Sequence, residues 1–223
     1  MKDWLPMSPE QSAVQIQSIL TLLGDDSKDV LDIGCGSGRL LIPLAVAGHR
    51  VVGIDSDSNA IQTATKNLHD AEIDATCIEG DFFHELPLDE QVDVIVCCGH
   101  TFMLLHDVDQ ALEALTLFKK SLRKGGMVII DDIPGDLWPE VAEGNWVNGL
   151  NDQAKLQLVW AEDDAVFAIR EGDAVDGDNW KLAESDIPLR LWTMGALRLL
   201  ARLASLSVPE VPVRGAILVM RAQ

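Results

Sequence analysis

Residues 30–39 read Val30-Leu31-Asp32-Ile33-Gly34-Cys35-Gly36-Ser37-Gly38-Arg39. An apolar strand pattern enters a turn with glycine at every second position, and a helical pattern follows directly. Because glycine has no Cβ, the backbone can bend sharply there and come close to a ligand. The helix beyond the turn offers N–H groups that its own backbone leaves unpaired. The stretch therefore predicts a nucleotide-type cofactor site in an α/β fold.

The length of 223 residues suits one α/β domain over 1–223, and the hydrophobic fraction of 48% is enough for a substantial core. A formal net charge of −19 would repel phosphate backbones and anionic lipid surfaces, so we expect no nucleic-acid or membrane partner. An apolar signal core and a run of about 18 apolar residues are both lacking, which predicts a cytoplasmic protein. The four cysteines form no Cys-x-x-Cys pair and no Cys/His ligand spacing, so we expect no metal.

Alternating patterns describe a core over residues 1–133. A capping box at Ser8 to Gln11 starts an N-terminal helix that Gly24 ends. Continuous apolar runs indicate strands buried on both faces, hence a Rossmann-like, mostly parallel sheet with helices on both faces. The expected strands are 29–33, 50–54, 73–78, 91–98 and 126–131, and the expected helices are 38–47, 57–69 and 107–122.

The alternation stops after Asp132. Glycines and prolines fill 134–155, and short strand patterns follow at 156–160, 165–170 and 180–184. Short turns between neighbouring strands predict a small antiparallel β unit within 134–192, inserted after strand 5. Four tryptophans lie in this unit: Trp138, Trp146, Trp160 and Trp180. A helix at 193–205 and a strand at 216–220 return to the core within 193–223.

Polar residues follow three of the expected strands. Asp55 ends the second strand, where a carboxylate either accepts hydrogen bonds from ribose hydroxyls or caps the next helix. Asp81 and Phe82 follow the third strand, where they either contact an adenine or are a loop acid and a core aromatic. His100, after Gly99, is either a general base or a structural hydrogen-bonding residue.

The glycine spacing distinguishes two classes of cofactor. A dinucleotide site has G-x-G-x-x-G, whose third glycine allows tight packing of helix on strand. Here Arg39 holds that place, and Asp32 on the first strand would serve a pyrophosphate poorly. A phosphate-free ligand that carries a ribose, an adenine, an amine and a sulfonium cation suits acids at three strand ends better.

These stretches together resemble the class I S-adenosylmethionine-dependent methyltransferases. Residues 30–39 resemble the family's first motif, residues 53–56 the second, residues 79–82 the third and residues 92–97 its fourth strand. In residues 122–127, Lys124 stands where the family usually has proline. The resemblance covers 10–133 well and 193–222 more loosely, and it implies a seven-stranded sheet whose last strand runs antiparallel. It also implies that the small antiparallel unit within 134–192 is a β lid, because some small-molecule members carry one at that place. The four tryptophans would then either line an apolar substrate wall or form the lid's own core.

The resemblance also implies the cofactor, S-adenosylmethionine, and a small-molecule methyl acceptor. The backbone near Gly99 would face the methyl group, and His100, or else His106, would be the base if the acceptor arrives protonated. Two other functions remain open: a methyltransferase-like protein that binds the cofactor without turnover, and an NAD-dependent oxidoreductase. The cofactor-binding residues that the motifs imply are Asp32, Gly34, Cys35, Gly36, Gly38, Asp55, Ser56, Asp81, Phe82 and Gly99.

Overall fold

The computed structural model describes residues 7–83, 86, 90–132, 149–151, 155–162 and 164–223. The five α-helices of these residues are α1 (Pro9–Leu23), α2 (Leu41–Val46), α3 (Ser58–Asp70), α4 (Val108–Ser121) and α5 (Met194–Leu203). The ten strands are β1 (Asp29–Ile33), β2 (Arg50–Asp55), β3 (Thr76–Glu79), β4 (Val92–Cys97), β5 (Leu122–Asp131), β6 (Leu156–Trp160), β7 (Val166–Glu171), β8 (Leu189–Arg190), β9 (Glu210–Val213) and β10 (Ile217–Arg221).

Seven strands form one sheet in the order β3-β2-β1-β4-β5-β10-β9. Strands β1 to β5 pair in parallel, whereas β10 is antiparallel to both β5 and β9. This confirms the expected Rossmann-like sheet, including its antiparallel last strand. The parallel order brings the carboxyl ends of β1, β2, β3 and β4 to one edge, where ligands of such folds bind.

Two apolar layers cover the sheet, one on each face. Helices α1, α2 and α3 pack on the first face through side chains such as Ile19, Leu41 and Leu68. Helices α4 and α5 pack on the other face, where Phe118 and Leu200 are buried against the strands. Since both faces are covered, the strands read as continuous apolar runs. None of the helices in the described residues is long and apolar enough to cross a membrane.

The expected strand boundaries shift at several places. Strand β3 begins at Thr76 rather than at 73, and β5 begins at Leu122 rather than at 126. Helix α2 begins at Leu41, because the chain from Gly36 to Leu40 forms turns. Strand β9 was not expected; all four of its residues are exposed, so it lacks the apolar run on which the expectations relied.

The small antiparallel sheet is confirmed, with the order β6-β7-β8. The expected third strand at 180–184 is wrong: β8 takes that place, and Lys181 makes only an isolated bridge to Trp160. Polar side chains explain the difference, because Arg170 binds the carbonyls of Asn179 and Lys181 at 3.1 and 3.0 Å. These two carbonyls therefore accept hydrogen bonds from a side chain rather than from the backbone of a neighbouring strand.

The small sheet packs against the loop that follows β4. Met103 of this loop is buried with Leu158, Phe167 and Leu189 of the small sheet. The Arg190 guanidinium donates to the His106 carbonyl at 2.5 Å. Trp160 packs on Phe167 with ring centroids 4.8 Å apart, as a core residue of the lid would. Trp138 and Trp146 lie outside the described residues.

Candidate functional site

A cavity of about 630 Å³ opens at the carboxyl edge of the sheet, a size in the range of small-molecule sites. Its walls come from the glycine turn after β1, the ends of β2 and β3, the loop after β4, and β8. Eight of the eleven sequence-predicted site residues line it: Gly34, Gly36, Asp55, Ser56, Asp81, Phe82, Gly99 and His100. The other three, Asp32, Cys35 and Gly38, lie behind this wall.

Gly34 lets two loops meet at the bottom of the cavity. Its N–H donates to the Ile54 carbonyl at 2.8 Å, which ties the turn to β2. Its φ is +70°, and a Cβ placed on it would lie 2.3 Å from Thr101 Oγ1 in the loop after β4. Position 34 therefore requires glycine both for its backbone conformation and for this close approach.

Gly36 and Gly38 differ in what surrounds them. A Cβ at Gly38 would lie 3.0 Å from Ile42 Cδ1, so that glycine serves the packing of the turn on α2. A Cβ at Gly36, which has a φ of +54°, would meet no described atom within 4 Å, although Gly36 lines the cavity. No side chain of the described residues occupies the space in front of Gly36, so this space is free for a ligand.

Asp55 joins the glycine turn to the end of β2. Its carboxylate accepts from the Gly36 N–H at 2.9 Å through Oδ2 and from the Asp57 N–H at 2.9 Å through Oδ1. The alternative that Asp55 caps the next helix is wrong, since Asp57 is the N-cap of α3 and accepts from the Asn59 N–H at 2.9 Å. Each Asp55 oxygen keeps lone-pair capacity for a ligand hydroxyl. Ser56, beside it, is exposed at the wall.

Asp81 and Phe82 form the wall that follows β3. Asp81 Oδ1 accepts from the Phe83 N–H at 3.0 Å, which fixes this turn. Phe82 is half-buried; its ring stacks on Phe83 at 4.4 Å and leans on Phe118 at 5.9 Å. The wall thus combines an acid with an aromatic face, the pair that the sequence assigned to an adenine.

Asp32 is buried beneath the glycine turn with 2% of its surface exposed. Burial raises its pKa to about 7, the nearby Asp55 charge acts in the same direction, and Arg39 opposes both. Its Oδ2 has no hydrogen-bond partner among the described residues. A buried carboxylate with one orphan oxygen is costly on its own and would be stabilised by a nearby cation.

Cys35 points away from the cavity. Its Sγ would lie 2.8 Å from a Cβ placed on Gly53 of β2, so the thiol packs on that strand. Its hydrogen bond with the Cys77 thiol and its burial both raise the pKa of Cys35 far above the usual range. The thiol is therefore neutral, and only the backbone of Cys35 belongs to the turn.

His100 lies on the cavity wall in a constrained turn. Gly99 and His100 have φ values of +74° and +67°. Asp131, at the end of β5, accepts from both of their N–H groups, at 3.0 Å for Gly99 and 2.8 Å for His100. His106 is not among the residues that line the cavity, and its Nδ1 lies 3.4 Å from the Leu104 carbonyl.

Sequence reasoning missed the residues that support this turn. Gln15 of α1 donates to Asp131 Oδ1 at 2.8 Å and accepts from the Arg39 guanidinium at 2.7 Å. Arg39 lines the cavity and also donates to Ser12 Oγ at 3.3 Å. One signal was available, because Gln15 is the single polar member of the buried positions 15, 19 and 23 of α1.

In the described residues, no group of three or more His, Cys, Asp or Glu side chains could hold a metal ion.

The sequence matches a known family over the part that builds this cavity. Residues 30–126 match the methyltransferase domain family. The cypemycin N-terminal methyltransferase from Streptomyces sp is 33% identical over 106 residues, which cover 48% of this chain and 42% of that protein. The chain thus spans less than half the length of this relative.

The fold is shared with solved structures over nearly the whole chain. A S-adenosylmethionine-dependent methyltransferase from Clostridium acetobutylicum superposes with a TM-score of 0.68 at 15% identity, covering 95% of this chain and 91% of that one. CalS10, a SAM-bound amino pentose methyltransferase from Micromonospora echinaspora, superposes with a TM-score of 0.62 at 17% identity, covering 98% and 92%.

Proposed function

We propose, from the premise that this chain has the class I S-adenosylmethionine-dependent methyltransferase fold with residues 30–126 in the methyltransferase domain family, that it transfers a methyl group from S-adenosylmethionine to a small-molecule acceptor. The observation that carries the proposal is the arrangement of Asp55, Gly36 and the wall of Asp81 and Phe82 around one cavity. Each would meet a different part of that cofactor.

The cavity fits the adenosine half of the cofactor. The two Asp55 oxygens lie at the end of β2, where they can accept from both ribose hydroxyls. Phe82 offers its ring face to the adenine, and Asp81 offers an acceptor to the exocyclic amine. The free space at Gly36 allows the ligand to touch the backbone of the turn. Both acids that would contact the adenosine are acceptors, which is what its hydroxyl and amine donors need.

The other end of the cavity fits the amino-acid half. The Arg39 guanidinium faces the cavity and makes no ion pair with a carboxylate among the described residues, since its partners are Gln15, Ser12 and Met7. It can bind the methionine carboxylate through two parallel N–H groups. The ionised form of Asp32 behind the turn would be stabilised by the ammonium and the sulfonium but not by a pyrophosphate, so Asp32 favours the cationic ligand.

The bound cofactor supplies an activated methyl group, so the protein's own work is positioning and exclusion of water. The Gly99–His100 turn forms the wall near the methyl group and holds the acceptor in line with it. Leu104, Leu105 and Leu189 give this side of the cavity an apolar lining. A drier wall favours the dispersal of positive charge during transfer. His100 takes the proton of an acceptor that arrives as an alcohol or an ammonium.

A small molecule is the acceptor class that the surroundings of the cavity favour. The small sheet contributes Leu189 to the lining of the cavity, whose volume of about 630 Å³ is in the range of small-molecule sites. The formal net charge of −19 disfavours nucleic acid. Of the relatives above, one is named for the N-terminus of cypemycin and one for an amino pentose, so a peptide amine belongs in the test beside amines and alcohols of metabolite size.

The test is release of S-adenosylhomocysteine from purified protein and S-adenosylmethionine with panels of small amines, small alcohols, thiols and short peptides. We expect turnover with a member of a small-molecule panel, and expect Asp55→Asn to reduce it at limiting cofactor. Asp25→Asn, which removes the same charge from an exposed residue away from the cavity, serves as the matched control. Cofactor binding without release in any panel would favour the non-catalytic alternative, and turnover with peptides alone would overturn the small-molecule assignment.

A further inference from the structure

A buried chain of hydrogen bonds connects α1 to the turn that carries His100. The Gln15 side chain is 1% exposed, and its amide nitrogen donates to Asp131 Oδ1 at 2.8 Å and to the Ala216 carbonyl at 3.1 Å. Its amide oxygen accepts from Arg39 at 2.7 Å. A single carboxamide thus joins α1, β5, the start of β10 and the residue that follows the glycine turn.

Asp131 connects Gln15 to the turn at the cavity wall through hydrogen bonds. Its two oxygens accept from the N–H groups of Gly99 and His100, whose positive φ values both lie in the left-handed region. A non-glycine residue in that region is strained and needs support from its surroundings. The carboxylate supplies the support, and it is itself only 6% exposed.

Gln15 meets the needs of both of its charged neighbours. Asp131 needs a donor, and Arg39 needs an acceptor; a carboxamide provides one of each in a fixed geometry. A carboxylate at position 15 could serve Arg39 but not an ionised Asp131. An aliphatic side chain would serve neither, although it would fill a similar volume.

We propose that Gln15 is a positioning residue: through Asp131 it fixes the Gly99–His100 turn at the methyl-transfer end of the cavity. The role of this turn in methyl transfer rests on the proposed function, whereas its fixation by Gln15 does not. The substitution Gln15→Glu gives the sharpest prediction. The new carboxylate and Asp131 would share one proton at low pH and repel each other once both are ionised.

Several other charged and titratable groups lie near position 15 and Asp131 and could add a pH dependence of their own. Arg39 faces position 15 from the turn after β1, and His100 flanks Asp131 on the loop after β4. Cys97 and Cys98 of the adjoining strand end are also close to Asp131, and burial raises the pKa of both thiols well above the usual range, so they stay neutral. The other ionisable groups near the pair are Asp132, the next residue along the chain, and Asp32, which lies near Arg39 and whose pKa burial raises to about 7. Wild type and Gln17→Glu hold all of these groups as well, so they report any pH dependence that does not come from position 15.

The experiment is amide hydrogen exchange of Gly99 and His100, measured by NMR on the cofactor-free full chain between pH 5.5 and 8.5. In wild type we expect both amides to be protected at every pH, although Gly99 is exposed. In Gln15→Glu we expect the protection factors to fall by about tenfold or more as the pH rises. Gln17→Glu is the matched control, because Gln17 is an exposed glutamine on the same helix that bonds to Thr21, and it should behave as wild type does.

Two further measurements keep the proposal open to refutation. Gln15→Leu should lower the protection at all pH values without a new ionisation. The affinity for S-adenosylhomocysteine in Gln15→Glu should fall with pH by about tenfold beyond any change in wild type. Equal protection in Gln15→Glu, Gln17→Glu and wild type would overturn the proposal. If the Gln15 variants fail to fold, wild type alone still tests it, because unprotected Gly99 and His100 amides in wild type would overturn the proposal. Intact protection without binding of the adenosyl ligand would instead contradict the proposed function.

Discussion

The Oδ2 atom of Asp55 accepts a hydrogen bond from the N–H of Gly36 at 2.9 Å. This contact joins the carboxyl end of β2 to the middle of the glycine turn after β1. It presents the carboxylate at the cavity wall, directly beside the space in front of Gly36. The side chain that would bind the ribose therefore also shapes the turn that the rest of the cofactor would touch.

Asp55→Asn should weaken S-adenosylmethionine binding by about 1–2 kcal/mol, because hydrogen bonds to a charged acceptor are stronger than those to a neutral amide. Isothermal titration calorimetry measures the difference. The control, Asp25→Asn, should bind as wild type does. Equal affinities in wild type and Asp55→Asn would contradict the ribose role of Asp55.

The first two turn glycines should respond to alanine in different ways. Gly34→Ala places a methyl group against Thr101 and should destabilise the fold by about 3 kcal/mol or more. Gly36→Ala meets no described neighbour, so its cost should be about 1 kcal/mol of backbone strain. It should nevertheless weaken S-adenosylmethionine binding at least about tenfold, because the methyl group occupies ligand space. Thermal melting and calorimetry separate the two effects, and full affinity in Gly36→Ala would refute the cofactor placement.

Asp32 gives the cofactor-free protein a defined pH dependence. The pKa of the native carboxyl is raised from 3.8 to about 7 by burial, so between these values the native state holds a proton that the unfolded chain has lost. Its contribution to stability is complete below pH 3.8 and is lost as the pH rises toward 7. Asp32→Asn should therefore be stabilising by about 1–2 kcal/mol at pH 5 and by about 4 kcal/mol at pH 8. Denaturant titrations at both pH values test this; the same stability difference at both would show that Asp32 does not titrate in this range.

Arg39 should contribute to the affinity only for ligands that carry the methionine carboxylate. Arg39→Met should weaken S-adenosylmethionine binding at least about tenfold, because a charge-assisted bidentate contact is lost. Binding of decarboxylated S-adenosylmethionine should change much less. Arg202→Met, at an exposed position of α5, controls for the loss of a positive charge. An equal loss for both ligands would assign Arg39 to the architecture of the site rather than to the carboxylate.

His100→Asn tests the base. Asparagine tolerates the left-handed backbone at this position, so the turn and the cofactor affinity should persist. Turnover of an acceptor that must lose a proton should fall by about 10²–10⁴-fold. Steady-state kinetics measure the change, with the exposed His69→Asn as the control. Unchanged turnover in His100→Asn would exclude the imidazole as base.

Local sequence patterns predicted those parts of the site that each lie within one short stretch of the chain. The glycine turn, the acid that ends β2 and the acid-aromatic pair after β3 each combine a strand pattern with a turn signal, and the parallel order of strands brings them to one edge. The expected strand at 180–184 was wrong because Arg170, eleven positions before Lys181, binds the Lys181 carbonyl together with the Asn179 carbonyl just before the segment.

Contacts between distant residues were out of reach of such patterns. Gln15 and Asp131 are separated by 116 positions. The polar side chain on the buried face of α1 marks Gln15 as unusual, but it does not identify Asp131 as its partner. The close approach of Gly34 to Thr101 likewise depends on the parallel pairing of β1 with β4. The burial of Asp32 follows from the layer of helices above it, so its raised pKa could not be inferred from the motif.

The most direct test of the account is a calorimetric titration of the purified protein with S-adenosylmethionine and, separately, with NAD. We predict saturable one-site binding of S-adenosylmethionine that Asp55→Asn weakens, and no binding of NAD at the same concentrations. Saturable binding of NAD by a protein that does not bind S-adenosylmethionine would contradict the account.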